Sequence, residues 1–174
     1  LAYREKNRER AAQFRTARSY GEDWKLLLDE EHRWFTVTRA RDLADANPDI
    51  LDYTALTGCR VDIDESRTEQ KREGPDGKEV SYNPPRYEYS YDFEVIISVN
   101  NPYFDEMRFQ VNSSSIDITP PPSVRPGMPA RCNPETNVEY RNCKKLGEEI
   151  RQALTQVRKD CLLYTSPSPR DRTR

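Results

Sequence analysis

The chain has 174 residues, of which 34% are hydrophobic and 33% are charged, and its formal net charge is −2. This length suits one domain of ordinary size, and the low apolar content predicts a small core with much solvated surface. No apolar run approaches the length of a membrane span, and residues 1–18 are too highly charged for a secretory signal. We therefore expect a cytoplasmic protein that does not insert into a membrane. The chain begins with Leu1 rather than Met, so we also expect it to be a fragment.

Residues 1–18 have the composition of a solvated helix that is rich in Arg, Glu and Ala. Six basic residues in this arm are accompanied by only two acidic ones, Glu5 and Glu9. The basic residues are Arg4, Lys6, Arg8, Arg10, Arg15 and Arg18. Such an arm can bind nucleic acid, but basic residues mixed with Glu at helical spacing are more typical of a solvent-facing surface. We favour the second interpretation and expect no nucleic-acid partner.

A second helix is expected directly after this arm. Ser19 and Glu22 have the spacing of a capping box, which predicts a helix that begins near Tyr20. Its apolar residues would then fall on one side, and they are Trp24, Leu27, Leu28, Trp34 and Phe35. The run 35–38 is rich in aromatic and β-branched residues, so a strand at its end stays open as the alternative.

A third, short helix is expected after Asn47 and Pro48, because a capping residue followed by proline is a helix-start signal. This helix would run through Leu56 and end at Gly58. With the two preceding helices, it gives an N-terminal helical segment over residues 1–57.

A short strand is predicted where Cys59, Val61 and Ile63 alternate with charged residues. Residues 66–85 that follow are polar and mostly charged, and residues 74–77 have the sequence of a turn, Gly-Pro-Asp-Gly. We therefore predict a long polar connection with a mobile tip.

The stretch 87–118 has the pattern of a β-hairpin. Every odd position of 87–99 is aromatic or β-branched, and most even positions are polar. This alternation is typical of a strand with one buried face. It resumes at 107–111 after a turn, which predicts a hairpin with Val99 opposite Met107.

The parity of the apolar positions changes after this hairpin, because the next apolar residues are Ile116 and Ile118. One extra residue in 112–115, a β-bulge, would place Ile116 opposite Tyr91 and Ile118 opposite Tyr89. Together with the short strand that contains Cys59, Val61 and Ile63, these two strands would make a three-stranded antiparallel meander with an apolar face.

The last predicted helix begins near residues 134–136 and is strongly amphipathic. Its apolar stripe consists of Tyr140, Cys143, Leu146, Ile150, Leu154 and Val157. The natural partner of this stripe is the apolar face of the meander. The predicted fold class is therefore α+β, with N-terminal helices, a three-stranded antiparallel β-meander and a C-terminal amphipathic helix packed on the sheet. We place the meander and this helix in one globular unit over residues 58–160.

Residues 161–171 differ in composition from everything before them. They resemble, residue for residue, the translation of the transposase mosaic-end adapter that is used to prepare sequencing libraries. The resemblance implies that the natural sequence stops near Asp160 and that residues 161–174 are an artefactual tail. A genuine disordered tail rich in Ser and Pro is the alternative.

The cysteine and histidine residues of this sequence match no known catalytic or metal-binding motif. Without the tail, the cysteines are Cys59, Cys132 and Cys143, whose spacing gives no C-x-x-C pair, so we expect neither a zinc site nor a disulfide framework. His32 is the only histidine and has no nucleophile near it in sequence, so we expect it at the surface. No catalytic residue, metal ligand or cofactor-binding residue is predicted.

Alternating acids on the predicted strands give the enzyme alternative. They are Asp62, Asp64, Asp92 and Glu94. Alternate acids on a strand share a face, as a general acid and base must. Any solvent-facing strand surface produces the same spacing, and we favour that interpretation.

Two loops are candidates for interaction with a partner. The hairpin turn presents Pro102, Tyr103 and Phe104, and exposed aromatic residues are typical anchors at interfaces. The alternative for this turn is that it folds back and caps the core. The proline-rich segment 120–129 could be recognised as polyproline, although a stiff spacer between sheet and helix also explains it.

The sequence Asn-Pro-Tyr-Phe-Asp-Glu-Met-Arg-Phe at 101–109 and Gly-Glu-Glu-Ile at 147–150 resemble segments of uncharacterised bacterial proteins. Some of those proteins carry a short zinc ribbon after the corresponding helix, which has no counterpart in the residues of this chain. The resemblance implies no activity. We therefore predict a non-enzymatic binding or adaptor module with a protein partner. The alternatives are a hydrolase that uses the strand carboxylates and a nucleic-acid-binding protein that uses the basic arm.

Overall fold

The computed structural model describes residues 2–122, 125–128 and 130–165. These residues form an α+β fold, as predicted, with two antiparallel sheets and a long C-terminal helix. The helices are α1 (Ala2–Gln13), α2 (Leu43–Ala46) and α3 (Val138–Thr165), with 3₁₀ turns at Tyr53–Ala55 and Pro134–Thr136. Sheet 1 contains β1 (Arg18–Tyr20), β2 (Lys25–Asp29), β3 (Trp34–Thr38) and β4 (Leu51–Asp52). Sheet 2 contains β5 (Leu56–Glu73), β6 (Glu79–Val99), β7 (Glu106–Gln110) and β8 (Ile116–Ile118).

The helix that was expected from Tyr20 is wrong, because this part of the chain forms β1, β2 and β3 in antiparallel order. Leu26, Leu27 and Leu28 are all buried, so both faces of β2 are covered. A short apolar run of this kind fits a fully buried strand as well as a helix, and periodicity alone does not separate the two. The strand alternative at 35–38 is confirmed by β3.

The short helix expected after Pro48 is also wrong, because α2 ends where that helix was to begin. The carboxylate of Asp42 accepts hydrogen bonds from the N–H groups of Ala44 and Asp45 and caps the start of α2. Asn47 ends the helix in the left-handed conformation, with φ of 47°. Residues 2–57 are therefore a helix joined to a small sheet rather than a helical segment.

The predicted polar connection over 66–85 is wrong, because β5 and β6 continue through it as a long hairpin. The turn predicted at 74–77 is confirmed, with the N–H of Gly74 donating to the Lys78 carbonyl at 2.7 Å. Residues 82–85 bulge out of the ladder between two neighbouring pairs. We call residues 66–88 the arm, which is distinct from the basic arm at residues 1–18. Most of its side chains are exposed or half-buried. An exposed two-stranded ribbon has no apolar face, so its sequence shows no alternation for a pattern search to find.

The hairpin formed by β6 and β7 has the predicted faces in a different register. Ile97 rather than Val99 lies opposite Met107, and Val95 lies opposite Phe109. The shift is two residues, so every side chain keeps its predicted side of the sheet. The loop after Val99 is closed by its N–H, which donates to the Asp105 carbonyl at 2.8 Å.

The bulge predicted between β7 and β8 is confirmed. Tyr91 pairs with Ile116 and Tyr89 pairs with Ile118. Asn112 stabilises this bulge from inside, because its Oδ1 accepts the N–H of Phe93 at 2.8 Å. Strands β7 and β8 therefore occupy successive parts of the same edge of β6.

Helix α3 packs on the apolar face of sheet 2, as predicted. Its buried stripe contains Tyr140, Ile150, Leu154 and Val157, with Cys143 and Leu146 half-buried. Gly147 allows close contact with the sheet, since an added Cβ would lie 3.1 Å from Val61 Cγ1. The helix continues past Asp160, and Cys161 is buried in the core. The adapter interpretation of residues 161–171 stays a prediction, and residues 166–174 lie outside the described part of the chain.

One hydrophobic core joins both sheets and α3. Leu26, Leu28 and Phe35 of sheet 1 belong to the same buried cluster as Phe93 of sheet 2 and Ile150 of α3. Sheet 1 is therefore packed into the unit that the sequence assigned to residues 58–160. Among the described residues, no helix combines the length and the apolar character needed to cross a membrane.

Candidate functional site

Helix α1 is held against the segment before β4 by one buried amide. The Nδ2 atom of Asn7 donates to Asn47 Oδ1 at 2.7 Å and to the Pro48 carbonyl at 2.6 Å. Its Oδ1 accepts the N–H of Ile50 at 2.9 Å. Asn7 is only 3% exposed, so these bonds satisfy its amide in the absence of solvent. They fix where the rest of α1 lies.

The hairpin loop next to α1 is equally well fixed. The N–H of Asn100 donates to the Ala55 carbonyl at 2.7 Å, and Asn101 Oδ1 accepts the N–H of Tyr103 at 2.8 Å. The second bond is an Asx turn, in which a side chain replaces a backbone acceptor. The loop therefore presents its tip in a defined conformation.

The three residues predicted as an interaction surface divide into two roles. Pro102 is exposed, and Tyr103 is 68% exposed. Phe104 folds back and packs against the core, which was the alternative for this turn. The ring of Tyr103 contacts the ring of Tyr3 in α1, with 4.8 Å between the centroids. Only Pro102 and Tyr103 are therefore available to a partner.

A groove of about 280 Å³ lies between α1 and this loop. Its rim carries Lys6 and Arg10 from α1 and Asn100 and Asn101 from the loop. Arg10 forms an ion pair with Asp52 at 3.5 Å, whereas Lys6 is exposed and has no ion pair within the described residues. We call the groove and its neighbours the α1–loop surface, which is defined by Tyr3, Lys6, Arg10, Asn101, Pro102 and Tyr103.

The electrostatics of this surface leave a net positive charge at Lys6. Burial and the Asp49 carboxylate raise the pKa of Tyr3, so its hydroxyl stays protonated and donates to Asp49 Oδ1 at 3.2 Å. Arg4 also pairs with Asp49, at 2.9 Å. A carboxylate of a partner could therefore pair with Lys6, which forms no ion pair with the described residues.

The four strand acids lie together on the solvent-facing side of sheet 2. Asp62 on β5 lies directly opposite Glu94 on β6 in the strand register. Asp64 lies directly opposite Asp92 on the same two strands. Asp62 and Asp64 are exposed, and the other two are half-buried. The sequence thus predicted correctly that these acids share a face, but the face is open to water.

Two of these acids are engaged in bonds across the sheet surface. Glu94 pairs with Arg108 at 2.9 Å. Asp92 Oδ1 accepts hydrogen bonds from the side chains of Gln110, Asn112 and Ser115. Such bonds link neighbouring strands, which favours a structural role for both acids over general acid and base catalysis. The hydrolase alternative stays a prediction that this geometry does not favour.

Most of the basic arm is neutralised within the chain, which disfavours the nucleic-acid alternative. Four of its six basic side chains form ion pairs, namely Arg4 with Asp49, Arg10 with Asp52, Arg15 with Glu31 and Arg18 with Glu30. Phosphate binding depends on cations that are free to replace the counterions of the nucleic acid. Of the six, only Lys6 and Arg8 form no ion pair with any residue that the structure describes.

Sequence reasoning missed the environment of the only histidine. Asp29 is fully buried, and its carboxylate accepts the N–H of Arg15 and the N–H of His32, each at 2.9 Å. The Nδ1 atom of His32 lies 2.8 Å from the same carboxylate, and its ring stacks on Trp34. Burial alone would raise the pKa of Asp29, but these bonds outweigh it and hold the pKa below its usual value. The four residues form a structural clamp at the turn between β2 and β3.

The cysteines are dispersed. Burial raises the pKa of the Cys59 thiol to about 11, and burial also raises the pKa of Cys143. Cys132 Sγ accepts the hydroxyl of Tyr91 at 3.4 Å. Within the described part of the chain, no group of three His, Cys, Asp or Glu side chains is arranged to hold a metal ion. The polyproline candidate at 120–129 falls partly on residues 123, 124 and 129, which are outside the described residues.

Comparisons with known proteins give no match for this chain. No protein-family model matches it, and no curated protein or solved structure is significantly similar to it.

Proposed function

We propose that this protein is a non-enzymatic binding module of the bacterial cytoplasm, and that it recognises a protein partner through the α1–loop surface. The observation that carries the proposal is Tyr103. Its side chain is 68% exposed, yet its backbone is held by Asn101 and its ring rests on Tyr3. A fixed and exposed tyrosine offers a large contact area at a low entropic cost, which is what a binding anchor needs.

The groove beside Tyr103 supports a proposal about the kind of partner. Lys6 forms no ion pair within the part of the chain that the structure describes, and the amides of Asn100 and Asn101 supply further polar groups at the rim. An extended segment with an apolar side chain and a nearby carboxylate would place the apolar group on Tyr103 and the carboxylate near Lys6. We therefore expect an acidic protein segment rather than a nucleic acid.

The proposal is tested with a photoreactive benzophenone amino acid at position 103 in the full chain. A matched control carries it at Val138, which is 60% exposed on α3. Both proteins are irradiated in a bacterial lysate, and the adducts are identified by mass spectrometry. We expect one protein to be attached at 103 and not at 138, and excess unlabelled wild-type chain to suppress it. Equal labelling at both positions, or labelling that the wild-type chain does not suppress, would contradict the proposal.

The contribution of Lys6 is tested separately, because Lys6→Glu reverses the sign of the charge at the rim of the groove. We expect this substitution to reduce the photoadduct at position 103, with a smaller effect in high salt. The control is Lys145→Glu on the exposed face of α3. If Lys145→Glu reduces the photoadduct and Lys6→Glu does not, the partner does not use this surface.

A further inference from the structure

Strand β5 forms an open edge of sheet 2. It is the outermost strand of that sheet, and among the described strands it pairs only with β6. Residues 62–68 are all exposed, and no other element of the described chain offers a backbone hydrogen bond to residues 64–72. We call residues 64–72 the edge segment. An unpaired strand edge of this kind is a template for a further strand.

The opposite edge of the arm, along β6, is unsuitable for pairing. Residues 82–85 bulge out of the ladder, and Pro84 and Pro85 lack the N–H group that a further strand needs. From Tyr89 onward this edge of β6 is occupied by β8. A strand that joins the arm therefore joins it at the edge segment of β5.

The charges of the edge segment are antisymmetric about Thr68. Its sequence is Asp-Glu-Ser-Arg-Thr-Glu-Gln-Lys-Arg, so every charged residue has the opposite charge at the same distance on the other side of Thr68. Among the described residues, the ion pairs of β5 involve Arg60, so these six charges form none there. The matched residues are Arg67 with Glu69, Glu65 with Lys71 and Asp64 with Arg72.

This pattern is self-complementary when two copies of the segment pair as antiparallel strands. In a dimer with twofold symmetry, a residue that faces a second residue of the partner is faced by that residue in return. If the axis passes between the two copies of Thr68, each of the three matched pairs becomes a cross-strand pair and occurs twice. Opposite charges that lie directly across two strands stabilise the pairing.

The neighbouring registers lack this complementarity. With the axis at Arg67, Arg67 meets its own copy and Glu65 meets Glu69. With the axis at Glu69, Glu69 meets its own copy and Arg67 meets Lys71. Like charges directly opposite each other destabilise a strand pair, so the charges favour the register centred on Thr68 over its neighbours.

The two cores lie far apart in this register. Helix α3 contacts β5 at Val61, where an added Cβ on Gly147 would lie 3.1 Å from Val61 Cγ1. Val61 of one copy then lies beside Pro75 of the other, at the tip of its arm. At about 3.3 Å per residue, the two copies of Val61 are about 46 Å apart along the strands. The arms therefore overlap while the cores stay at opposite ends of the contact.

We propose that this protein forms a homodimer in which the edge segments of two copies pair as antiparallel strands centred on Thr68. The contact joins the two copies of sheet 2 into one continuous sheet. It uses nine residues of each copy, so it is at the small end of specific interfaces and the dimer is weak. The edge segment shares no residue with the α1–loop surface, and its test needs only the purified chain, so either proposal can fail without the other.

Sedimentation equilibrium of the purified full chain, between about 1 µM and 1 mM, measures the dimer. Arg67→Glu creates two like-charge contacts at the centre of the interface, and so does Glu69→Arg. We expect each variant alone to dimerise at least about tenfold more weakly than wild type. A mixture of the two variants should associate as wild type does, because every contact between positions 67 and 69 then joins opposite charges. The matched control is Arg158→Glu on the exposed face of α3, which should dimerise as wild type does.

The register is tested by oxidative cross-linking. Thr68→Cys should form a disulfide between two copies, because residue 68 lies opposite itself. Ser66→Cys is the control on the same exposed edge. Its two copies would be about 13 Å apart along the strands, which is beyond the reach of a disulfide. The proposal is overturned if the wild-type chain stays monomeric over this concentration range, if Arg67→Glu dimerises as tightly as wild type, if the mixed variants fail to associate, or if Ser66→Cys cross-links as well as Thr68→Cys.

Discussion

The buried carboxylate of Asp29 gives the sharpest test of the fold assigned to the N-terminal part of the chain. This carboxylate accepts two backbone N–H bonds and lies against the His32 ring, so it joins the start of β1 to the turn between β2 and β3. The perturbation is Asp29→Asn, which keeps the shape of the side chain and replaces one acceptor oxygen with a donor.

The expected loss of stability in Asp29→Asn follows from the three contacts of the carboxylate. Asparagine keeps one carbonyl oxygen, so at least one of the three donors faces an NH₂ group and loses its bond. A hydrogen bond to a charged group contributes about 1.5–3 kcal/mol, and a buried donor left unpaired costs a similar amount. We therefore expect Asp29→Asn to lower the free energy of unfolding by about 2–4 kcal/mol. With a urea m-value of about 2 kcal/mol/M, the midpoint should fall by about 1–2 M.

The pH dependence of this loss has a definite sign. Because the pKa of Asp29 is lowered in the folded state, its contribution to stability is complete above the unfolded pKa of about 3.9. The contribution disappears as the pH falls through the folded pKa. The difference between wild type and Asp29→Asn should therefore be constant near neutrality and shrink below about pH 4.

The assay is urea unfolding followed by tryptophan fluorescence at a series of pH values. The matched control is Glu31→Gln in the same turn, because Glu31 is exposed and its ion pair with Arg15 contributes at most about 1 kcal/mol. An Asp29→Asn midpoint equal to that of the wild type would refute the clamp. A difference that persists unchanged into acid would show that the charge of Asp29 is not its cause.

Three further predictions concern sheet 2 and its helix. Gly147→Leu should destabilise the fold by about 2 kcal/mol, because its side chain would overlap Val61, and a urea midpoint equal to that of the wild type would contradict the close contact. Replacing residues 69–87 of the arm with an Asn-Gly turn should leave the melting temperature within about 5 °C of wild type, since the arm is outside the core; a larger loss would show that the arm supports it. With the other three cysteines replaced by alanine, Cys59 should react slowly with Ellman's reagent at pH 8 and faster up to about pH 11. A rate that levels off near pH 8 would contradict its burial.

The parts of the fold that were predicted correctly are those with a strong local pattern. The alternation along β6, the bulge before Ile116 and the stripe of α3 each depend on apolar residues that face one core. The register between β6 and β7 was predicted wrongly by two residues, because a shift of two preserves every face and only the loop geometry decides it. An apolar pattern therefore predicts which face of a strand is buried better than it predicts which residues lie opposite each other on neighbouring strands.

The missed elements lack such a pattern. The run around Leu27 is buried on both faces, and the arm is buried on neither, so alternation is absent from both. The candidate site was predicted only in part for a related reason. Tyr103 was identified as exposed, but its neighbour Tyr3 is placed by Asn7, whose bonds to the segment before β4 span about forty residues of sequence. No local signal indicates a long-range contact made by one amide.

Tyr103 is the proposed anchor for a protein partner on the α1–loop surface. The partner that photocrosslinking identifies is purified on its own. Its dissociation constant for the wild-type chain, for Tyr103→Ala and for Val138→Ala is then measured by calorimetry. Both substituted residues are highly exposed, so neither change should disturb the fold. We predict that Tyr103→Ala weakens binding by about tenfold or more, while Val138→Ala binds as wild type does. If Tyr103→Ala binds within about twofold of wild type, Tyr103 is not a hot spot and does not anchor the partner.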